Sequence, residues 1–250
     1  MQTRDIAKKE LGKIEKIKQA GILVIGTSAD YPPYEFRLLP DLKDDFVGID
    51  IDIAEAIADD LNVKLEIKNF DFHKLFNELT TGNIDLILAG LAPSQDRRKI
   101  VDFSIPYYQA IQNMLIRAED KDKIMLLEDL RGKTVGTQTG SIQEDMARTM
   151  IIGANFITMP TIQNLIDALT AKKLEAVILE KPVADAYVFK NSTLMNLECN
   201  SDRTPLGSAV AVKKGNADLL ARVNQVLEKL ISENKINQFV QDAKVFTDKI

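Results

Sequence analysis

Arg97 has the most specific chemistry open to it of any residue in this chain. It follows an apolar run, Ile84-Asp-Leu-Ile-Leu-Ala-Gly90, that Gly90 and Pro93 break before a Ser94-Gln-Asp96 turn. A guanidinium in a loop at a strand end offers a rigid bidentate fork beside free backbone groups, which suits a carboxylate. The alternative is a solvated arginine on a surface turn, the fate of most charged side chains. A second stretch, Gly140-Ser141-Ile-Gln-Glu144, places a serine three residues before a glutamate. That spacing is a capping box, and the helix it starts presents amides that can seat an anion. Plain capping is the simpler reading of that stretch alone. The third group is Glu180, between the run Glu175-Ala-Val-Ile-Leu179 and Lys181-Pro182. A carboxylate at the mouth of a strand can hold an ammonium group or act as a general acid, or it can simply pair with Lys181. Two anion-seeking features and one carboxylate, all at strand ends, make a receptor for a zwitterion.

The elements that must position these groups follow from periodicity. Residues 5–20 read as a helix with Ile6, Leu11, Ile14 and Ile17 on one face, ending at Gly21. Ile22 to Thr27 reads as a buried strand, and the paired prolines after it exclude helix over 28–36. Tyr31, Tyr34 and Phe36 in that stretch are core anchors or a ligand platform. A polar turn at 40–45, a helix from Asp50 to Leu61, a strand from Val63 and a short helix at 73–80 precede the strand at Ile84. A second run of the same kind has strands at 134–138, 155–159 and 175–179, with helices at 142–151, 162–171 and 183–190. Residues 111–118 look like an extended crossover between the units. A strand at 208–213 and a helix bearing Leu219, Leu220, Val223, Leu227 and Leu230 close the chain, and periodicity leaves open which unit they join. Alternating strands and helices give open α/β sheets, which bind ligands beyond the carboxyl ends of their strands.

Composition removes several classes. The 250 residues, 45% hydrophobic and 28% charged, describe a globular protein of one large or two small domains. A net charge of −5 with interspersed signs gives no basic stripe for nucleic acid. One cysteine, Cys199, and one histidine, His73, rule out an internal disulfide and leave a zinc site without its usual ligands. Cys199 is expected as a half-buried strand residue. No phosphate-loop motif is present, no cofactor or metal is expected, and no window has the apolar length to span a bilayer. The first ten residues lack the apolar core of a signal peptide. They fit a cytoplasmic chain, or an exported one whose signal has been replaced by Met1.

Several stretches resemble one family. Gly26-Thr-Ser-Ala-Asp-Tyr-Pro-Pro-Tyr-Glu-Phe36, Val47-Gly-Ile-Asp-Ile-Asp52, Ser94-Gln-Asp-Arg97 with Val101-Asp-Phe-Ser-Ile-Pro-Tyr107, Val135-Gly-Thr-Gln-Thr-Gly-Ser141 and Ala176-Val-Ile-Leu-Glu180 are similar to the amino-acid-binding receptors of ABC importers. The resemblance spans about residues 20–245. It implies an α/β, two-lobe type 2 periplasmic-binding-protein fold, two open sheets joined by a two-strand hinge near 108–114 and 203–209. Lobe 1 would hold 1–110 and 208–250, and lobe 2 would hold 111–207. The resemblance puts the ligand carboxylate on Arg97 rather than Arg98, beside the Gly90 backbone and the Ser141 amide, and the ligand ammonium on Glu180, where most members carry Asp. Tyr31 and Phe72 become aromatic walls. Ala92 stands where a hydroxyl is common, and Ser28 where receptors of basic amino acids often carry Asp. A cationic side chain would then need another acid, Glu35 or Asp30. Gln138 and Gln143 line the second lobe and favour a polar side chain.

The implied protein is a monomeric, non-enzymatic extracytoplasmic receptor, periplasmic or lipid-anchored with its signal segment absent. It captures a polar L-amino acid, arginine or glutamine, and delivers it to an ABC permease. Two other classes stay open: a dehydratase-like enzyme on the same fold with Glu180 as general acid, and a ligand-sensing domain of a larger receptor.

Overall fold

A computed structural model describes residues 11–38, 45–199 and 206–247. Helix α1 (Lys13–Ala20) leads into strand β1 (Ile22–Thr27) through Gly21, whose φ of 72° closes the helix in the left-handed region. The helix expected from residue 5 starts later: 5–10 lie outside the described residues, and Leu11 and Gly12 precede the first turn. Asp218 takes the amide of Ile14 at 3.0 Å and so fixes that start from a distant part of the chain. Beyond β1, the proline-stiffened stretch forms β2 (Asp30–Tyr31) and β3 (Glu35–Arg37), which pair with β4 (Phe46–Val47) in a small antiparallel ribbon. The turn expected at 40–45 lies outside the described residues except for Asp45.

Helix α2 (Ile49–Leu61) carries Ile49, Ile53, Ile57 and Leu61 into the core. Strand β5 (Lys64–Asn69), a 3-10 turn at Phe72–Lys74, helix α3 (Leu75–Thr81) and strand β6 (Leu86–Ile87) follow. The strand read over 84–90 thus pairs as a strand at two residues, after which the chain peels off into the Gly90 loop. Arg97 is not in a loop: it sits on α4 (Gln95–Ile100), where Ser94 caps the helix by accepting from the Arg97 amide at 3.4 Å. Strand β7 (Val101–Phe103) ends this part.

The second part runs β8 (Gln112–Arg117), β9 (Thr134–Gln138), α5 (Ile142–Met150), β10 (Asn155–Met159), α6 (Ile162–Thr170), β11 (Ala176–Glu180), α7 (Lys181–Lys190) and β12 (Leu194–Glu198). Here β8 corrects the expected crossover. It is a fully buried strand between β11 and β12, antiparallel to both. Its polar residues hid it, because each has a partner inside the protein, though Asn113 Oδ1 has none among the described residues. Arg117 binds Asp120 at 2.7 Å and the carbonyl of Leu169 at 2.8 Å, and Asn113 donates to Asn196 at 2.8 Å. Strand β12 escaped the sequence reading. Cys199 lies one residue beyond it and is buried, with its thiol pushed up to about 12 by burial, which leaves it inert.

Strand β13 (Ala211–Lys213) and helices α8 (Ala217–Ser232) and α9 (Lys235–Thr247) complete the chain. One sheet has the order β5-β1-β6-β13-β7 and the other β10-β9-β11-β8-β12. The last portion therefore returns to the first sheet, with β13 antiparallel to β6 and β7. Two segments pass between the sheets, and Tyr108 bridges Ser208 where they run side by side.

Candidate ligand cleft

The cleft lies between the carboxyl ends of β1 and β6 in one lobe and those of β9 and β11 in the other. Every residue assigned to the site from sequence lines one cavity: Ser28, Tyr31, Phe72, Gly90, Ala92 and Arg97 from the first lobe, and Gln138, Ser141, Gln143 and Glu180 from the second. Glu35, Ala89 and Ile142 line it as well.

Arg97 is 8% exposed, and its Nη1 donates to the Ala92 carbonyl at 2.9 Å. Its Nη2 crosses the cleft to the Gly140 carbonyl at 3.0 Å, and its guanidinium lies 5.4 Å from the ring centres of Phe72 and Phe76. Burial lowers its pKa to about 10, so it stays cationic at neutral pH. Arg98 points elsewhere, to the Pro93 carbonyl and over Phe103.

The backbone groups expected at the carboxylate are Gly90 and the Ser141 amide, and both amides are already engaged. Gly90, at φ 53°, gives its amide to Asp50 Oδ2 at 2.8 Å, so only its carbonyl can meet a ligand. A Cβ there would come 3.1 Å from the Tyr31 ring, which explains the glycine. The Ser141 amide is likewise committed, to the Gln138 carbonyl at 3.1 Å. Its hydroxyl accepts from the Glu144 amide at 3.2 Å, and Glu144 reaches the Gly140 amide rather than that of Ser141. An anion at the start of α5 would therefore meet the Ser141 hydroxyl and the first-turn amides of Ile142 and Gln143, which have no intrahelical acceptor. Gln143 donates to Gln112 at 3.0 Å and Gln138 to the Pro160 carbonyl at 3.2 Å, so both amide side chains are held in place.

Glu180 ends β11, 5% exposed, and accepts the Tyr34 hydroxyl across the cleft at 2.5 Å. Burial raises its carboxyl to about 7. Glu35 is fully buried, and neither of its carboxylate oxygens finds a donor among the described residues. Burial first, then the neighbouring carboxylates Asp50 and Asp30, push its pKa well up. Asp50, behind it, is satisfied by Gly90 and by the Tyr107 hydroxyl at 2.6 Å, yet burial still holds it near 6. Sequence reasoning offered Glu35 only as one option, left Tyr34 between core anchor and ligand platform, and gave Asp50 no site role. The available signal was an acid between two aromatic residues behind paired prolines, a place where a charge is forced inward. One buried guanidinium thus faces several buried carboxyl groups whose raised pKa values reflect the lack of cations to compensate their ionised forms.

Two lobes in contact over a charged, polar cavity define a cleft-type binding protein for a small solute. The chain belongs to the bacterial extracellular solute-binding proteins, family 3, whose model matches residues 23–243. The arginine-binding extracellular protein ArtP of Bacillus subtilis (strain 168) is 33% identical over 219 residues, covering 86% of this chain and 83% of that protein. The L-cystine-binding protein TcyJ of Escherichia coli (strain K12) is 29% identical, over 88% of this chain and 81% of its own. A crystal structure of the amino acid ABC transporter substrate-binding protein AbpA from Streptococcus pneumoniae Canada MDR_19A, bound to L-arginine, superposes with a TM-score of 0.89. It is 34% identical, covering 94% of this chain and 99% of that one. Such two-lobed, type 2 architecture is the fold of this chain. Among the described residues, no helix is long and apolar enough to cross a membrane.

Proposed function

We propose that this protein is the extracytoplasmic receptor of an ABC importer for a cationic L-amino acid, with arginine foremost. The observation that carries the reading is Glu35, a buried carboxyl group facing the cavity with no donor for either oxygen among the described residues. A neutral side chain such as that of glutamine would supply a donor but leave the ionised form of Glu35 uncompensated; a guanidinium supplies both a donor and the charge that lets Glu35 ionise. In this reading Arg97, the Ser141 hydroxyl and the start of α5 hold the α-carboxylate. Glu180 takes the α-ammonium, with Tyr34 steadying it, and Tyr31 and Phe72 flank the side chain as it reaches Glu35. The ligand then carries two positive charges and one negative into a site with the opposite count, which compensates the buried charges. The arginine-binding relative and the arginine-bound structure support the same choice.

In this reading lobe 1 takes residues 1–110 and 208–250 and lobe 2 residues 111–207, a division supported, for the described residues, by sheet membership and by the Tyr108–Ser208 bridge. Closure is a hinge motion about those paired segments. The protein works at the outer face of the cell membrane or in the periplasm, as the extracellular solute-binding family supports. Glu180, with its pKa near 7, gives the dehydratase-like alternative its one support; turnover of a prephenate-like substrate tests it. The test of the main reading is a thermal-shift screen of the twenty amino acids with L-citrulline added, since a ligand raises stability with the logarithm of its concentration over Kd. Arginine should give the largest shift and citrulline a much smaller one. An equal response to both would refute the charge argument.

A further inference from the structure

The contacts that join the lobes are not all made at the cavity. Arg97 to Gly140 and Tyr34 to Glu180 both involve groups that a bound amino acid would engage. Asp30 is different. It does not line the cavity but stands at the cleft mouth, in a recess with Asn69, Asp71, Lys74, Thr161 and Gln163. From β2 in the first lobe its Oδ2 accepts the amide of Ile162, the first residue of α6 in the second lobe, at 2.6 Å. Its backbone carbonyl accepts the Tyr187 hydroxyl from α7 at 3.0 Å.

The start of α6 is thus satisfied from both lobes. Thr161 caps the Asn164 amide from within at 3.2 Å, and Asp30 takes the Ile162 amide from without. A carboxylate at a helix N-terminus gains from the dipole as well as from the hydrogen bond. Asp30 is also held in place from within its own lobe. Its amide donates to the Ser28 carbonyl at 2.8 Å, Ala29 is tied to the Asn69 side chain at 2.8 Å, and β2 pairs with β3 in the same lobe. Burial raises its carboxyl to about 6 against the pull of the Ile162 and Gln163 amides, so it is mainly ionised at neutral pH.

We propose that Asp30 is a latch between the lobes, a positioning residue that sets how long the cleft stays closed on any amino acid it accepts without touching that ligand. This rests on the amino-acid-receptor reading above. The test compares the parent protein with Asp30→Ala and Asp30→Asn by stopped-flow binding of L-arginine, L-lysine and L-glutamine. Spin-label pairs, one label on each lobe, report the inter-lobe distance with and without ligand. Dissociation should be roughly tenfold faster in Asp30→Ala, by the same factor for every ligand that binds the parent, with association little changed. Asp30→Asn keeps an acceptor and should recover most of the loss, and Asp30→Ala should shift the inter-lobe distances outward.

Unchanged dissociation and unchanged distances in Asp30→Ala would overturn the latch. So would a loss confined to cationic ligands, which would make Asp30 a ligand contact instead. A parent that binds no amino acid would instead overturn the receptor reading, and the ligand-free distances would still decide the latch.

Discussion

Replacing Glu35 by Gln keeps the shape of the side chain and one carbonyl acceptor while removing the charge. If a ligand guanidinium pairs with Glu35, breaking a buried pair costs about 3–5 kcal/mol. The retained acceptor returns about 0.5–1.5 kcal/mol of that as an ordinary hydrogen bond. The net loss is about 2–4 kcal/mol, or roughly 30- to 1,000-fold in Kd. L-Citrulline, which replaces the guanidinium by a neutral urea, should change by no more than about threefold, because it never had the charge pair to lose. Without ligand the variant should be at least as stable as the parent, since it removes a buried carboxyl group beside Asp50 that no donor among the described residues satisfies. Calorimetric titration of both proteins with both ligands reads the affinities, and thermal melts read the stability. An arginine Kd within threefold of the parent's would refute the reasoning. Equal losses for arginine and citrulline would also refute it, by showing that Glu35 shapes the cavity and does not select charge.

Arg97→Ala should lower arginine affinity by about 3–5 kcal/mol, since it strands a ligand carboxylate in a buried site, while circular dichroism stays that of the parent; near-unchanged affinity by calorimetry would dismiss Arg97 as the carboxylate partner. Glu180 is held up near 7 from an ordinary 4.5, so its contribution to stability is full below about pH 4.5 and is lost as pH rises through 7. The unfolding free energy of the ligand-free protein, followed by thermal melts, should therefore fall between pH 5 and pH 8 by at most on the order of 3 kcal/mol from this group, because opening lets it meet water. The shift caused by arginine should grow over the same interval, as ionised carboxylates meet the ligand's cations; a ligand shift independent of pH would argue against Glu180 as the ammonium partner. Gly48→Ala should cost about 3 kcal/mol or more, read by denaturant unfolding. Its φ is 127°, and the added Cβ would stand against the Tyr34 carbonyl oxygen, whose contacts set the start of α2. A stability near the parent's would show that this junction can relax.

Sequence alone carried the chemistry a long way. The run from Ile22 to Thr27 became a strand with the same ends, and so did Thr134 to Gln138 and Asn155 to Met159, because each is a short apolar or alternating run between turn residues. Arg97, Ser141 and Glu180 were visible as groups at the ends of such strands. Their charges alone suggested a zwitterion, and the family resemblance turned that into named ligand contacts. Where sequence fell short, the reason was distance along the chain. Strand β8 carries glutamine, asparagine and arginine that only become buried residues when Gln143, Asn196, Asp120 and the Leu169 carbonyl arrive to pair with them. The return of β13 to the first sheet depends on strand neighbours more than a hundred residues away. Glu35 reads as one acid among many until the fold removes both water and donors from it. Residue types and short-range order determined which chemistry was available; tertiary structure decided which charges face one cavity uncompensated, because burial and pairing belong to the surroundings and not to the residue.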